Sequence, residues 1–197
     1  MTSIIECMPK HENTSFQHTE SEYKESIKEC KKVFEKKYHD YGTAWRILRP
    51  SSLTDQIFIK AKRIRSIQEK GTQAIEEDIR QEFIGIINYC VMALIQLSLP
   101  PDAPLYMDYD TISRLYDKQI EATWELLRRK NHDYDEAWRQ MRVSSMTDLI
   151  LMKILRIKQI EDKQGQTLVS EGVEANYQDI LNYAVFCLIK LKADEKD

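Results

Sequence analysis

Glycine and proline are scarce in this chain. Its 197 residues contain five of each, and the prolines at positions 9, 50, 100 and 101 lie outside the periodic apolar segments. Both residue types mark turns and the ends of regular structure. Their scarcity disfavours a sheet-rich fold and predicts long, uninterrupted helices.

An excess of charge of either sign is also lacking. There are 29 basic and 32 acidic residues, and the formal net charge is −3. Proteins that bind nucleic acid polymers generally present a strongly basic surface. We therefore expect no nucleic acid polymer among the partners of this chain.

Paired cysteines and long apolar runs are missing too. No two of the four cysteines form a C-x-x-C pair, which predicts reduced, mostly buried thiols in a cytoplasmic protein. The first twenty residues lack the apolar stretch of a signal peptide. The longest apolar run, residues 83–97, is interrupted by polar residues and is too short to span a bilayer. We expect no membrane association.

The chain does contain an internal duplication. Residues 37–64 align with residues 130–157, and 16 of these 28 positions are identical. About two identities would be expected by chance, at roughly 6% per position. The identical residues of the first copy are Lys37, His39, Asp40, Tyr41, Ala44, Trp45, Arg46, Arg49, Ser51, Ser52, Thr54, Asp55, Ile57, Lys60, Arg63 and Ile64. A shared N-Y pair follows in each copy, at Asn88 and Asn182.

Each copy predicts the same order of helical elements, with apolar residues spaced at i, i+4, i+7 and i+11 in the first helix. We assign a mobile tail to residues 1–20, the first repeat to 21–97, a proline-rich linker to 98–109 and the second repeat to 110–192. A turn near Gly42 requires a residue that tolerates positive φ, for which the second copy offers Asp135. The motifs Ser52-x-x-Asp55 and Ser145-x-x-Asp148 predict capping boxes.

The last helix of each repeat is apolar on all sides, which is typical of a fully buried helix. One repeat of three or four helices cannot cover such a helix alone. We therefore predict an all-α fold in which the two repeats pack through these helices as an intramolecular pseudo-dimer, forming one helix bundle.

Lys60 and Lys153 lie within the apolar stripe of their helices, and Arg63 and Arg156 flank that stripe. A buried ammonium group is costly unless it is paired. Two interpretations remain open: an internal ion pair or a snorkelling lysine, and a phosphate or carboxylate site.

The other repeated polar and aromatic residues also allow two interpretations. Asp55 and Asp148 are either caps or catalytic acids. The aromatic residues beside the turn either fill the core or stack on a base, with an arginine beside each pair; these residues are Tyr41, Trp45, Arg46, Tyr134, Trp138 and Arg139. The His39-Asp40 and His132-Asp133 pairs lack the further histidines of a metal phosphohydrolase.

Asp179 breaks the repeat symmetry, because the first copy has Gly85 at the same place. The helical wheel places this carboxylate on an apolar face, so it needs a partner. Lys153 and a metal ion are the candidates, although close helix packing would also explain the difference.

Taken together, the chain resembles the nucleotide modification associated domain 1 family, in two tandem copies. The pattern runs Lys37-x-x-Asp40-Tyr41-Gly42-x-x-Trp45-Arg46, then Asp55-x-x-x-x-Lys60-x-x-Arg63-Ile64, then Asn88-Tyr89. It recurs from Lys130 to Tyr183, and the resemblance covers most of residues 21–192. The resemblance implies an all-α, nucleotide-associated protein distantly similar to the MazG-like pyrophosphohydrolases.

By this resemblance the ligand would be a nucleotide, and the reaction would be Mg²⁺-assisted hydrolysis of a phosphoanhydride. Lys153 and Arg156 would hold phosphates, with Lys60 and Arg63 as their counterparts. Only the second copy offers an acidic set for Mg²⁺: Asp148, Glu174 and Asp179. We therefore expect the second repeat to be the active one, although the acidic E-x-x-E motif of the pyrophosphohydrolases is missing. The alternative is a non-enzymatic helical scaffold, and no residue is assigned a catalytic role.

Overall fold

The computed structural model describes residues 14–71, 78–134, 136–163, 165 and 172–194, with side chains from residue 18 onwards except those of 131–134 and 194. Within these ranges the chain forms six α-helices and two short 3₁₀ helices, and no strand. The helices are α1 (Thr14–Tyr41), α2 (Pro50–Lys70), α3 (Ile79–Ser98), α4 (Tyr109–Tyr134), α5 (Val143–Asp162) and α6 (Gly172–Asp194). The 3₁₀ helices, Ala44–Ile47 and Ala137–Gln140, follow α1 and α4.

The two repeats pack against each other through equivalent helices. Helix α3 lies along α6, α2 lies along α5, and the outer helices α1 and α4 each contact both central helices. The side chains of α3 and α6 are buried over most of their length. The predicted all-α pseudo-dimer is confirmed, and each of the two core helices is covered by the other repeat.

Helix α3 is long and apolar enough to cross a bilayer on those two criteria alone. However, 67% of its most apolar window is buried inside the bundle. This is the position of a core helix.

Asn88 and Asn182 hold the repeats together at symmetry-related positions. The Tyr116 hydroxyl donates to Asn88 Oδ1 over 2.9 Å, and the Tyr23 hydroxyl donates to Asn182 Oδ1 over 3.0 Å. Asn88 Nδ2 also donates to the Cys30 carbonyl at 3.0 Å. All four side chains are buried. The shared N-Y motif therefore supplies an amide that accepts from the opposite repeat.

Replacing Asn88 with alanine is expected to lower the free energy of unfolding by on the order of 3 kcal/mol, since it leaves a buried hydroxyl unsatisfied and removes a second hydrogen bond. Urea denaturation of Asn88→Ala, Tyr116→Phe and the double variant would measure this loss and the coupling between the two residues. The double variant should cost less than the sum of the single losses. Strict additivity would mean that the hydrogen bond contributes nothing.

Helix α1 begins earlier than the sequence predicts, at Thr14, so residues 14–20 are helical rather than part of a tail. Contacts with the second repeat explain the difference. The buried Thr19 hydroxyl donates to Glu136, and Arg139 Nη2 donates to Glu22 Oε2 over 2.7 Å. Residues 1–13 lie outside the described part of the chain.

The predicted capping boxes are wrong. The N-caps of α2 and α5 are Arg49 and Arg142, and neither makes a side-chain capping hydrogen bond. Pro50 occupies the first helical position, where a missing N–H costs nothing and the fixed φ suits a helix. Both helices therefore start before the serines that were expected to cap them.

The repeated acids Asp55 and Asp148 instead join α2 to α5. Lys158 Nζ lies 2.5 Å from Asp55 Oδ1, and Arg65 Nη1 lies 3.5 Å from Asp148 Oδ1. Lys158 and Arg65 occupy the same place in the two repeats, so the two pairs are related by the internal symmetry. The acids are exposed and act between the repeats, which explains their repetition without a catalytic role.

The turn after α1 has the expected left-handed residue, Gly42, with φ +57°. In the second repeat the left-handed residue is Glu136, with φ +56°. Asp135, which was expected in this role, lies outside the described residues.

Candidate functional site

In the second repeat, two lysines converge on one carboxylate. Lys153 Nζ donates to Asp179 Oδ2 over 2.6 Å, and Lys130 Nζ, from the end of α4, donates to Asp179 Oδ1 over 2.7 Å. Lys153 and Asp179 are 8% and 9% exposed. Lys153 is thus the partner of Asp179, one of the two candidates from the sequence, and its ammonium group is held in an internal ion pair.

The first repeat makes a different arrangement around Lys60. Lys60 Nζ lies 3.1 Å from Glu82 Oε2, and Arg63 Nη1 lies 2.5 Å from Glu82 Oε1. Glu82 is buried, whereas about a quarter of each basic side chain is exposed. Lys60 and Arg63 are therefore brought together on one buried carboxylate.

Lys60 lies directly against the helix backbone at Gly85. A Cβ atom built at Gly85 would lie 2.6 Å from Lys60 Cε and 3.0 Å from Lys60 Nζ. The absence of a side chain at Gly85 thus gives Lys60 room to cross α3 and reach Glu82. In the second repeat, the same place on the helix carries the Asp179 carboxylate.

A groove opens beside Lys60, and we call it the first-repeat groove. One end of it, which we call the anion end because two lysines border it, has a volume of about 270 Å³. This end is bordered by Lys37, Lys60, Glu82 and Gly85. Among the described residues, the exposed Lys37 makes no ion pair. Lys37 is the counterpart of Lys130, so this end contains the two lysines of the second-repeat site without the aspartate between them.

The groove continues into an aromatic end of about 420 Å³. This end is lined by Tyr41, Trp45, Ile47 and Leu48, among others. The two ends share four lining residues: Phe34, Lys37, Tyr89 and Met92. Tyr41 is 71% exposed, so it borders the groove rather than filling the core. A positively charged end and an aromatic end are therefore continuous on the surface of the first repeat.

The equivalent tryptophan of the second repeat is covered by other side chains. Trp138 is buried and stacks on Phe186, with ring centroids 4.3 Å apart and planes inclined by 5°. The Arg139 guanidinium lies 4.4 Å from the Trp138 ring centroid. Phe186 takes the position that Met92 has in the first repeat. The side chain of Tyr134, the other aromatic residue expected here, lies outside the described part.

The two arginines beside the tryptophans, which were expected to contact a base, form hydrogen bonds with other parts of the protein. Arg46 is buried, donates to Gln96 and lies 3.3 Å from the Ala103 carbonyl of the linker. Arg139 donates to Glu136 and to Glu22 of α1. Arg46 thus fixes the linker to the first repeat, and Arg139 joins the two repeats.

The acids expected to hold Mg²⁺ are not brought together. Both oxygens of Asp179 accept from lysines, Asp148 faces Arg65, and Glu174 is exposed on the first turn of α6. The described residues contain no group of three or more acidic, histidine or cysteine side chains arranged for a metal ion. This set therefore does not fit a divalent cation.

A larger surface cavity, of about 700 Å³, lies between the start of α2 and the end of α5. Its described lining carries three acids, Asp55, Glu161 and Asp162, against one base, Lys158. Burial raises the pKa of Glu161, although a hydrogen bond from Thr54 opposes the shift. This acidic surface disfavours a phosphate.

Sequence reasoning missed four residues that define the sites. Lys37 and Lys130 were among the identical positions, and their repetition was the available signal. Glu82 was detectable only as a lone acid in an apolar helix. Phe186 could not be distinguished from a core residue. Arg156, a predicted phosphate ligand, is exposed on α5.

Comparison with protein families gives one finding. The model described as nucleotide modification associated domain 1 matches residues 37–97 and 130–191. The two segments begin at Lys37 and Lys130 and together cover more than half of the chain. Comparisons with curated proteins and with solved structures found no match.

Proposed function

Because the chain belongs to the nucleotide modification associated domain 1 family, we propose that its first-repeat groove binds a nucleotide. A phosphate would lie at Lys37 and Lys60, and the base would lie beside Tyr41 and Trp45. The observation that carries this proposal is the continuity of a two-lysine end with an aromatic end. Phosphates bind to ammonium groups through charge-assisted hydrogen bonds, and bases stack on aromatic rings.

The proposal moves the expected site from the second repeat to the first. Lys130 and Lys153 already hold the Asp179 carboxylate, whereas the first repeat has no carboxylate at the corresponding place. Glu82 neutralises one charge among Lys60 and Arg63. The anion end therefore retains positive charge for an incoming phosphate.

Binding is better supported than hydrolysis. No carboxylate cluster for a metal was found among the described residues, so Mg²⁺-assisted hydrolysis and the similarity to MazG-like enzymes stay predictions. The scaffold interpretation has its own support in the second repeat, where the lysine forms a buried ion pair. Both interpretations can hold at once, with one repeat for binding and one for support.

Lys37→Met is expected to weaken nucleotide binding about 10- to 100-fold, the loss of one hydrogen bond to a charged group. Isothermal titration with ribo- and deoxynucleotides, with and without Mg²⁺, would measure the Kd. A ligand at about 100 times its Kd should also add roughly 2.7 kcal/mol of stability in thermal unfolding.

The internal symmetry supplies a matched control, Lys130→Met. It removes the equivalent lysine from the second repeat and should leave the Kd unchanged. Equal effects of the two substitutions, or none from Lys37→Met, would reject the first-repeat groove as the site. A protein that binds no nucleotide would leave the scaffold as the better account.

A further inference from the structure

Two of the differences between the repeats coincide with the two ends of the first-repeat groove. At the anion end, Gly85 is replaced by Asp179, and the Asp179 carboxylate lies between Lys130 and Lys153 at 2.7 and 2.6 Å. These lysines are the counterparts of Lys37 and Lys60. An anion thus lies in the second repeat where the first repeat offers two lysines to the groove.

The second difference lies at the aromatic end. Met92 lines the groove of the first repeat together with Trp45. In the second repeat, Phe186 takes the place of Met92, and its ring is nearly parallel to Trp138 at 4.3 Å between centroids. This separation and angle are those of a stacked aromatic pair. A flat ring therefore lies against the tryptophan of the second repeat, at the helix position where the first repeat has the flexible Met92 side chain.

We infer that the second repeat is a self-occupied copy of the groove, in which Asp179 and Phe186 stand where the first repeat takes the phosphate and the base of a nucleotide. This inference rests on the proposed function for its ligand. It follows that one chain binds one nucleotide, although it contains two copies of the binding unit.

The internal occupant also indicates the class of ligand. One carboxylate is enough to hold both Lys130 and Lys153. In the first repeat, the equivalent lysines, Lys37 and Lys60, bring two positive charges to the anion end, and Lys60 shares Glu82 with Arg63. A terminal phosphate carries about −1.5 to −2 charges at pH 7. The anion end therefore matches a nucleoside monophosphate better than the more highly charged triphosphate.

The first experiment closes the anion end of the first-repeat groove by introducing the residues that the second repeat has at the equivalent positions. Gly85→Asp with Glu82→Asn should weaken the binding of AMP and dAMP at least about 30-fold, because an internal carboxylate would compete for both lysines. The matched control is Gly85→Asn with Glu82→Asn, which has the same size and no charge. An asparagine at position 85 also takes space next to Lys60, so this control is expected to lose some affinity. The aspartate variant should bind at least about tenfold more weakly than this control. Equal loss in both variants would overturn the inference, since size alone would then block the groove.

The second experiment opens the second repeat. Asn176→Glu, Asp179→Gly and Phe186→Met together restore the first-repeat residues, including a carboxylate partner for Lys153. Titration with AMP should give one site for the unmodified protein and two for this variant, once circular dichroism has shown that it is folded. ATP should bind at least about tenfold more weakly than AMP to either protein. A tighter ATP complex would overturn the assignment of a single-phosphate ligand.

These outcomes separate the two proposals. One site in both proteins would overturn the self-occupied second repeat and leave nucleotide binding by the first repeat intact. Two sites in the unmodified protein would do the same. No site in the unmodified protein and one in the variant would reject binding by the first repeat while supporting closure of the second.

Discussion

Asp179→Ala is expected to lower the free energy of unfolding by about 3–5 kcal/mol, because removing one member of a buried ion pair leaves its partner charge in a poorly solvated place. Lys153 and Asp179 are both less than 10% exposed. Lys130 adds a second ammonium group to the same carboxylate. Removing Asp179 therefore takes the shared carboxylate away from two ammonium groups, those of Lys153 and Lys130.

Urea denaturation would give this loss directly, and thermal unfolding should show a decrease in Tm of roughly 10 °C for a chain of this size. Asp148→Ala is the matched control, because this acid is exposed and its pair with Arg65 is worth about 0–1 kcal/mol. A double variant with Lys153→Met and Asp179→Leu should recover much of the loss, since apolar replacements remove both buried charges. A cost below about 1 kcal/mol for Asp179→Ala would show that the pair is well solvated.

Raising the pH from 8 to 9.5 under reducing conditions is expected to remove about 3–4 kcal/mol of stability, on the order of 1 kcal/mol for each of three buried thiols. Burial raises the pKa of three cysteines and three tyrosines in the folded protein. These residues are Cys30, Cys90, Cys187, Tyr23, Tyr116 and Tyr177.

The sign follows from which state holds the protons. Below about pH 8.5, the ordinary pKa of a cysteine, both states are protonated and the stability contribution is fully present. Above that pH the unfolded chain loses protons that the folded chain keeps, so unfolding becomes more favourable. Tyrosines add to the loss from about pH 10.

Urea denaturation at a series of pH values would measure this dependence. Cys90→Ala is the matched control, and it should reduce the slope between pH 8 and 9.5 by about a third, since one of the three thiols is removed. A stability that stays level over this range would contradict the buried, neutral state of the thiols.

The sequence by itself determined the helical fold and its duplication. Apolar spacing depends only on residues within one helix, so it identified the helices. Helices α3 and α6 are apolar on all sides, so each had to be covered by the other repeat. The sequence also limited the partner of Asp179 to Lys153 or a metal, because a carboxylate on an apolar face needs a positive charge.

Helix ends depended on tertiary contacts. The start of α1 follows from Thr19 and Glu22 docking on the second repeat. Likewise, Asp55 and Asp148 have the local spacing of caps but form ion pairs across α2 and α5. A local motif cannot show whether a side chain will find a better partner far away in the chain.

The location of the groove was decided only by the tertiary structure. Identical motifs in two repeats made Lys60 and Lys153 equivalent in the sequence, and the extra acid favoured the second copy. In three dimensions that acid pairs with both Lys153 and Lys130, whereas Gly85 leaves Lys60 beside Lys37 at an open groove. Whether a charged side chain occupies a site or leaves it accessible to a ligand depends on which side chains converge there. In the first repeat, that convergence comes from the packing of α1, α2 and α3.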